Sequence, residues 1–267
     1  MKTAATLLVS LVLCAPPASA QVSVEVSPLR VEVDAAAGST TTQAITVRNY
    51  GKKPIRMRAT LVDWDLSRDG TPQFEGARQN GPFSATAWVR LAPPEQVIDP
   101  EKEAIVRFSL TAPADVPPGG YRTSVLFDFS SAEADALAPA RAVAFKGRVA
   151  TMLYVNIGQP AGSAELVDVA VRSLEGETQV VAVLRNGGRR SLRTKGTLVV
   201  LSGDGQPVRE VPLPDVPVLP ESEREVAIAV GGPETAPLPA GEYRVELKID
   251  LGLPALLIGE ASLKVAR

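Results

Sequence analysis

The chain contains no histidine. Composition alone therefore excludes a Ser-His-Asp triad, a His-Cys dyad and a His-ligated metal, while carboxylate-only chemistry remains possible in principle. Its one cysteine, Cys14, falls within the first twenty residues. That is ahead of the cleavage point argued below, so the mature chain forms no disulfide even where one is permitted. Positive charge is not in excess. The 28 Lys and Arg stand against 30 Asp and Glu, a balance that argues against nucleic acid as a partner. No Gly-rich phosphate loop joins a strand to a helix, so nucleotide binding has no support. No segment shows a helical hydrophobic period with caps. Past the N-terminus no apolar run reaches spanning length; Leu251 to Ile258 comes nearest and is broken by Gly252 and Pro254.

The N-terminus itself has a recognisable order. Lys2 supplies a charge, Ala4 to Cys14 is apolar, and Ala15-Pro16-Pro17-Ala18-Ser19-Ala20 ends in small residues of A-x-A spacing. This reads as a signal peptide, residues 1–20, cleaved after Ala20. Leu13 is larger than the small residue a lipoprotein signal places before its cysteine. Loss of Lys2 leaves 27 basic and 30 acidic residues, a net charge of −3. The expected product is an exported chain that does not span a membrane and uses no cofactor and no metal.

The rest reads as strands. Val22, Val24 and Val26 alternate with polar residues, as do Val31 with Val33 and Ile45 with Val47; Ile105, Phe108 and Leu110 follow with one slip. Period-2 runs rich in β-branched residues, separated by Gly, Pro, Asn and Asp, point to a sandwich or barrel. An internal repeat sets the organisation. Val47-Arg48-Asn49-Tyr50-Gly51-Lys52-Lys53 matches Leu184-Arg185-Asn186-Gly187-Gly188-Arg189-Arg190, and a Leu-Val pair follows 12 residues after each Asn. Val97-Ile98-Asp99-Pro100-Glu101 matches Val218-Leu219-Pro220-Glu221, and Pro118-Gly119-Gly120-Tyr121-Arg122 matches Pro239-Ala240-Gly241-Glu242-Tyr243-Arg244. The fold class expected is all-β, two immunoglobulin-like β-sandwich domains in tandem after the signal peptide. Residues 21–158 form the first and 159–267 the second, with a boundary near Gly158-Gln159-Pro160-Ala161-Gly162.

Local roles follow from the repeat. The Asn-x-Gly elements are expected to turn one strand into the next through positive φ. The Pro-x-Gly-x-Tyr elements look like tyrosine corners, with the ring inside and the hydroxyl on a backbone group. The polar stretch from Asp65 to Ala87 is extra in the first copy and reads as a surface loop or added hairpin. Trp64 and Trp88, flanking it, read as core. Asp63 and Asp65 share a strand face, a spacing open to Ca²⁺ or acid–base work but more simply a solvated strand end. Arg30 lies in an apolar strand whose neighbours alternate inward, so it faces solvent or lines a cleft. Lys146 and Arg148 share one face of the strand from Val143 to Val155, where edge-strand charges often guard against aggregation.

On these residues the first domain resembles the PapD-like periplasmic pilus-assembly chaperones. The resemblance rests on Arg30-Val31-Glu32-Val33-Asp34, Gly38-Ser39, Ile45-Thr46-Val47 and Asn49, then Trp88 to Pro94 with its Pro-Pro, Glu103 to Phe108, and Val143 to Tyr154 with a basic residue before Leu153-Tyr154. It covers Val22 to Asn156. What it implies is two immunoglobulin-like domains set at an angle, a periplasmic location and no catalysis. It also implies donation of an edge strand to an incomplete pilus or surface-fibre subunit, and an outer-membrane usher as a further partner. Carried onto this chain, the resemblance makes Val143 and Phe145 the donor positions. Arg30, with Arg148 or Lys146, becomes the anchor for the subunit's terminal carboxylate. The second domain looks more like a generic surface sandwich. A structural or adhesive envelope protein, on the cell surface and with tandem modules as spacers, is therefore the other reading.

Overall fold

The computed structural model describes residues 23–74, 81–132, 146–174, 177–232 and 238–265. The signal-peptide segment 1–20 and the donor positions Val143 and Phe145 lie outside them. In the first sandwich the strands are β1 (Val24–Ser27), β2 (Arg30–Ala35), β3 (Thr40–Asn49), β4 (Ile55–Val62), β5 (Asp65–Leu66), β6 (Pro72–Gln73), β7 (Val89–Ala92), β8 (Glu95–Ile98), β9 (Glu103–Thr111), β10 (Gly119–Ser131) and β11 (Lys146–Ile157). The second has β12 (Ala164–Leu174), β13 (Glu177–Asn186), β14 (Leu192–Arg193), β15 (Lys195–Leu201), β16 (Pro207–Pro212), β17 (Pro217–Val218), β18 (Ser222–Gly231), β19 (Gly241–Asp250) and β20 (Leu257–Val265). Among the described residues no helix is long and apolar enough to cross a membrane.

Sheets of order β1-β3-β9-β7 and β2-β11-β10-β4-β8 face each other in the first sandwich. Ile45, Val47, Val106, Phe108, Val125, Phe127, Leu153 and Val155 meet between them and are buried. Alternation selects these residues, since every second side chain of a strand points to the same face. The reading of β9 needs one correction. Its inward set is Ala104, Val106, Phe108 and Leu110, an unbroken period of two, while Ile105 faces water at 40% exposure. On the solvent face Thr40 pairs with Thr111 and Thr42 with Ser109 through hydroxyl hydrogen bonds of 3.0 and 2.9 Å. The second sandwich repeats the plan with sheets β12-β13-β18 and β16-β15-β19-β20 around Val180, Leu184, Leu198, Val200, Ile228, Val245 and Leu247.

The repeat is visible at the level of single hydrogen bonds. Asn49 and Asn186 are both fully buried. Asn49 Oδ1 accepts the Gly51 N–H (2.8 Å), and its amide donates to the Lys53 carbonyl (2.8 Å) and the Ile98 carbonyl (3.1 Å). Asn186 accepts the Gly188 N–H (3.0 Å) and donates to the carbonyls of Arg190 (2.8 Å) and Val218 (3.1 Å). These asparagines therefore tie a turn to a neighbouring strand end. They do not supply the positive φ expected of them, which falls on Glu101 (59°) and Glu221 (53°), the second residues of the matched Pro-Glu turns. The tyrosine corners are equally alike: Tyr121 donates to Pro117 and Tyr243 to Pro239, each at 2.8 Å to the carbonyl four residues back.

The stretch after β4 is only partly extra. Ser67-Arg68-Asp69-Gly70-Thr71-Pro72 has a counterpart in Ser202-Gly203-Asp204-Gly205-Gln206-Pro207. In each, the serine hydroxyl donates to the aspartate and accepts the N–H of the residue four positions on. Gly70 (φ 88°) and Gly205 (φ 81°) take the left-handed position that the turn requires. The two turns differ in surroundings. Gly205 has open space around it, whereas a Cβ on Gly70 would sit 1.2 Å from the Arg224 guanidinium of the second sandwich. There the Arg68 carbonyl accepts the Glu225 N–H at 2.7 Å, and the Arg68 side chain lies 3.6 Å from Glu223 and 3.4 Å from Glu225. Part of the stretch read as a surface loop or added hairpin is thus a hairpin, and it clamps the two sandwiches together.

Candidate functional site

The first strand breaks at Pro28-Leu29. Before the break β1 pairs with β3 in one sheet; after it, β2 lies parallel to β11 in the other. This switch decides which part of β11 is covered. Strand β10 runs along all of β11, from Ser130 opposite Lys146 to Gly119 opposite Ile157. Strand β2 covers only Met152 to Ile157. Residues 146–150 therefore have a neighbour on one side alone among the described residues.

One bond sets the backbone orientation along this edge. Met152 donates its N–H to the Leu29 carbonyl at 2.8 Å, on the β2 side. Successive residues of a strand point their N–H and C=O in opposite directions. Ala150, Arg148 and Lys146 therefore point theirs to that same side, which no described strand covers, over a length of about 13 Å. The side chains of Val149, Leu153, Val155 and Ile157 pack into the core, and those of Lys146, Arg148, Ala150, Met152 and Tyr154 line the opposite face.

Arg30 begins β2 and stands opposite Met152, four residues beyond Arg148. The two arginines share a sheet face but are not brought together. Arg148 donates to Asp128 at 2.7 Å on the neighbouring strand, and Lys146 is exposed. Arg30 reaches into the cleft between the sandwiches, 3.4 Å from Glu32 and 3.4 Å from Asp215. What joins it there is Arg193 of the second sandwich. Arg193 donates to the Asp215 carboxylate at 2.6 Å and to the Asp215 carbonyl at 2.8 Å, and its guanidinium lies 4.0 Å from Glu32. The Arg193 hydrogen bond, helped by Arg30, pulls the Asp215 carboxyl below its usual value.

The floor beside this cluster is apolar. Trp64, Tyr154 and Leu219 pack together across the domain boundary, with the Trp64 and Tyr154 rings edge to face at 5.3 Å. Burial raises the Tyr154 phenol, an effect that Arg193 partly offsets. Trp64 is core as expected, and its indole N–H donates to the Thr123 carbonyl at 2.8 Å. Trp88 is half-buried against Tyr121, with ring centroids 4.6 Å apart. Asp63 departs from the solvated strand end expected for it: it is buried and accepts the hydroxyls of Ser84 and Thr86. Asp65 pairs with Arg122 at 3.0 Å. A cleft of about 180 Å³ opens here between Phe83 and Arg122 on one side and Pro220, Glu221 and Ser222 on the other.

Arg193, Asp215 and Arg122 were not legible as site residues, because each is defined by a neighbour far away in the chain. The Ser-x-Asp-Gly-x-Pro repeat was a readable signal, and it would have assigned Ser67 to Pro72 to a hairpin common to both copies.

The depressed carboxylates give a pH prediction. Asp69, in the clamping turn, is held at about 2 by the Ser67 hydroxyl and the Thr71 N–H, and Asp215 is also lowered. A carboxylate whose folded value lies below its unfolded value contributes fully above the ordinary range near ~4 and loses that contribution as pH falls through the folded value. Contact between the sandwiches is therefore expected to hold at pH 5–7 and to loosen between about pH 4 and pH 2. Trp64 emission in a Trp88→Phe background reads this directly. An emission maximum unchanged down to pH 2 would contradict it.

No family model matches the chain, and no curated protein does. Solved structures do match. The YadV chaperone is 13% identical with a TM-score of 0.45, over 90% of this chain and 99% of that one. The class 5 fimbriae chaperone CfaA is 11% identical with a TM-score of 0.47, over 92% of this chain and 100% of that one. A chain of the CsuC–CsuE chaperone–tip adhesion subunit pre-assembly complex of Acinetobacter baumannii is 14% identical with a TM-score of 0.44, over 89% and 97%.

Proposed function

We propose that this chain is an exported, periplasmic chaperone that captures subunits of a pilus or surface fibre by strand addition along the open half of β11, without catalysis. The observation that carries this reading is the collinearity of the open edge with β2. A partner strand laid against Lys146 to Ala150 takes up the line of β2 and stops where β2 begins, at Leu29 and Arg30. If it runs parallel to β11, as β2 does, its C-terminal end arrives at Arg30. Main-chain groups then supply the affinity, and the guanidinium receives the terminal carboxylate through charge-assisted hydrogen bonds. Val143 and Phe145, preceding the described part of β11, extend the donor strand in this reading, and Lys146 and Arg148 border it. An outer-membrane usher is the further partner that the reading includes.

The test uses a blocked pentapeptide of alternating Val and Thr with a free carboxylate. On binding, the amides of Lys146, Arg148 and Ala150 are expected to gain protection from hydrogen exchange while the amides facing β10 stay as they were. Arg30→Ala is expected to weaken binding of the acid by about tenfold or more, the worth of a hydrogen bond to a charged group. An edge that gains no protection from this peptide or from co-expressed fibre subunits sinks the reading. It would leave the tandem sandwiches as a spacer in the envelope.

A further inference from the structure

The anchor at the end of the open edge is already occupied, and the occupant belongs to the chain itself. Two guanidiniums, Arg30 from the first sandwich and Arg193 from the second, converge on one carboxylate. Asp215 Oδ2 lies 3.4 Å from Arg30 Nη1 and Asp215 Oδ1 lies 2.6 Å from Arg193 Nε. Glu32 is shared in the same way, 3.4 Å from Arg30 and 4.0 Å from Arg193. The cluster carries two positive and two negative charges, so it offers no net attraction to an incoming anion as it stands. It is also open to one. The side chains of Arg30, Asp215 and Glu32 are 48%, 52% and 45% exposed, and only Arg193 is largely covered, at 22%.

We infer that Arg30 and Arg193 together form the carboxylate site, and that Asp215 fills it in the free chain and is displaced by the partner's C-terminal carboxylate. The inference rests on the strand-addition reading for the identity of the ligand. The pairing of the arginines and the self-occupancy come from the cleft. Several observations favour exchange. Asp215 and a terminal carboxylate are the same chemical group, so one can replace the other on two forked donors without leaving either cation unpaired. The exposed Arg30–Asp215 contact is of the kind that contributes little to stability, so opening it costs little. Arg193 also holds the Asp215 carbonyl at 2.8 Å, a bond that does not depend on the Asp215 carboxylate and keeps this guanidinium aimed at the cleft during the exchange. Arg148 is committed to Asp128 on the far part of the same face, and Arg193 takes the place that the sequence offered to it.

The experiment separates the cleft from the edge. N-acetylglycine, which is too small to pair with β11, is titrated into the full mature chain and followed through the Nε signals of Arg30 and Arg193; N-acetylglycine amide is the control. Asp215→Asn is expected to bind N-acetylglycine at least about fivefold more tightly than the parent chain, and neither protein should respond to the amide. Arg193→Ala in the Asp215→Asn background is expected to return binding to the level of the parent chain or below. The inference is overturned if Asp215→Asn gives no gain, if acid and amide gain equally, or if Arg193→Ala leaves the gain intact. Protection of the Lys146, Arg148 and Ala150 amides by the longer peptide is scored separately. Its absence alongside a normal acid response in the cleft would refute strand addition and leave the paired-arginine site standing.

Discussion

Asn49→Ala is expected to destabilise the first sandwich by about 2–4 kcal/mol, and Asn186→Ala the second by a similar amount. Each side chain is fully buried; Asn49 serves four backbone groups and Asn186 three. Truncation leaves the Gly51 N–H and the Lys53, Ile98 and Asp99 carbonyls without this partner in one case, and the Gly188 N–H and the Arg190 and Val218 carbonyls in the other. Each orphaned buried group costs about 1–3 kcal/mol, reduced where water enters the gap. Asp at either position should be worse, because a carboxylate has no donor to offer carbonyls that now face a negative charge. The measurement is urea unfolding followed with Trp88 as the reporter of the first sandwich and Tyr243 as that of the second. Equal midpoints for Asn49→Ala and the parent chain would show that the hub is replaceable.

Ala150→Pro is expected to abolish capture of an extended partner, a loss of at least about tenfold, while leaving the sandwich folded. The Ala150 N–H points away from β10, so proline there removes no rung of the β10–β11 ladder, and edge strands accept proline in this orientation. It removes the last donor of the open segment, beside the start of β2, and puts ring carbons where the partner's backbone has to approach. Val149→Pro is the contrasting case. Its N–H faces β10 and its side chain packs on the core, so that variant should lose stability instead. Binding of the alternating peptide and the thermal midpoint, measured on both, separate the two effects. Undiminished binding by a folded Ala150→Pro would place the partner somewhere other than the β11 edge.

Much of the fold was legible because its causes are local. Ile45 with Val47, and Val31 with Val33, alternate wherever they are read, and a strand with one apolar face must bury it. Asn49 and Asn186, or Tyr121 and Tyr243, were matched by spacing alone and prove to make the same bonds. The differences have two kinds of cause, a blurred local period and partners far off in the chain. Three apolar residues in β9, Ile105, Val106 and Phe108, blur a period of two, and only the structure shows that Ile105 is the outward one. Asn49 was given a conformational role because Asn is common in turns; its amide instead finds a carbonyl 49 residues downstream. Asp63 read as solvated because the loop carrying Ser84 and Thr86, which covers it, is remote in the chain.

By itself the sequence determined the strand periods, the duplication and the place of Arg30 in a strand whose neighbours point inward, since each depends on side-chain period, turn chemistry or order along the chain. Tertiary structure alone decided that β2 covers β11 only from Met152 onward, and that Arg30 meets a carboxylate 185 residues away beside Arg193. The reason is physical. A strand's pattern states which face is buried but not which edge is left unpaired, and the charge that answers an arginine is set by how two domains pack.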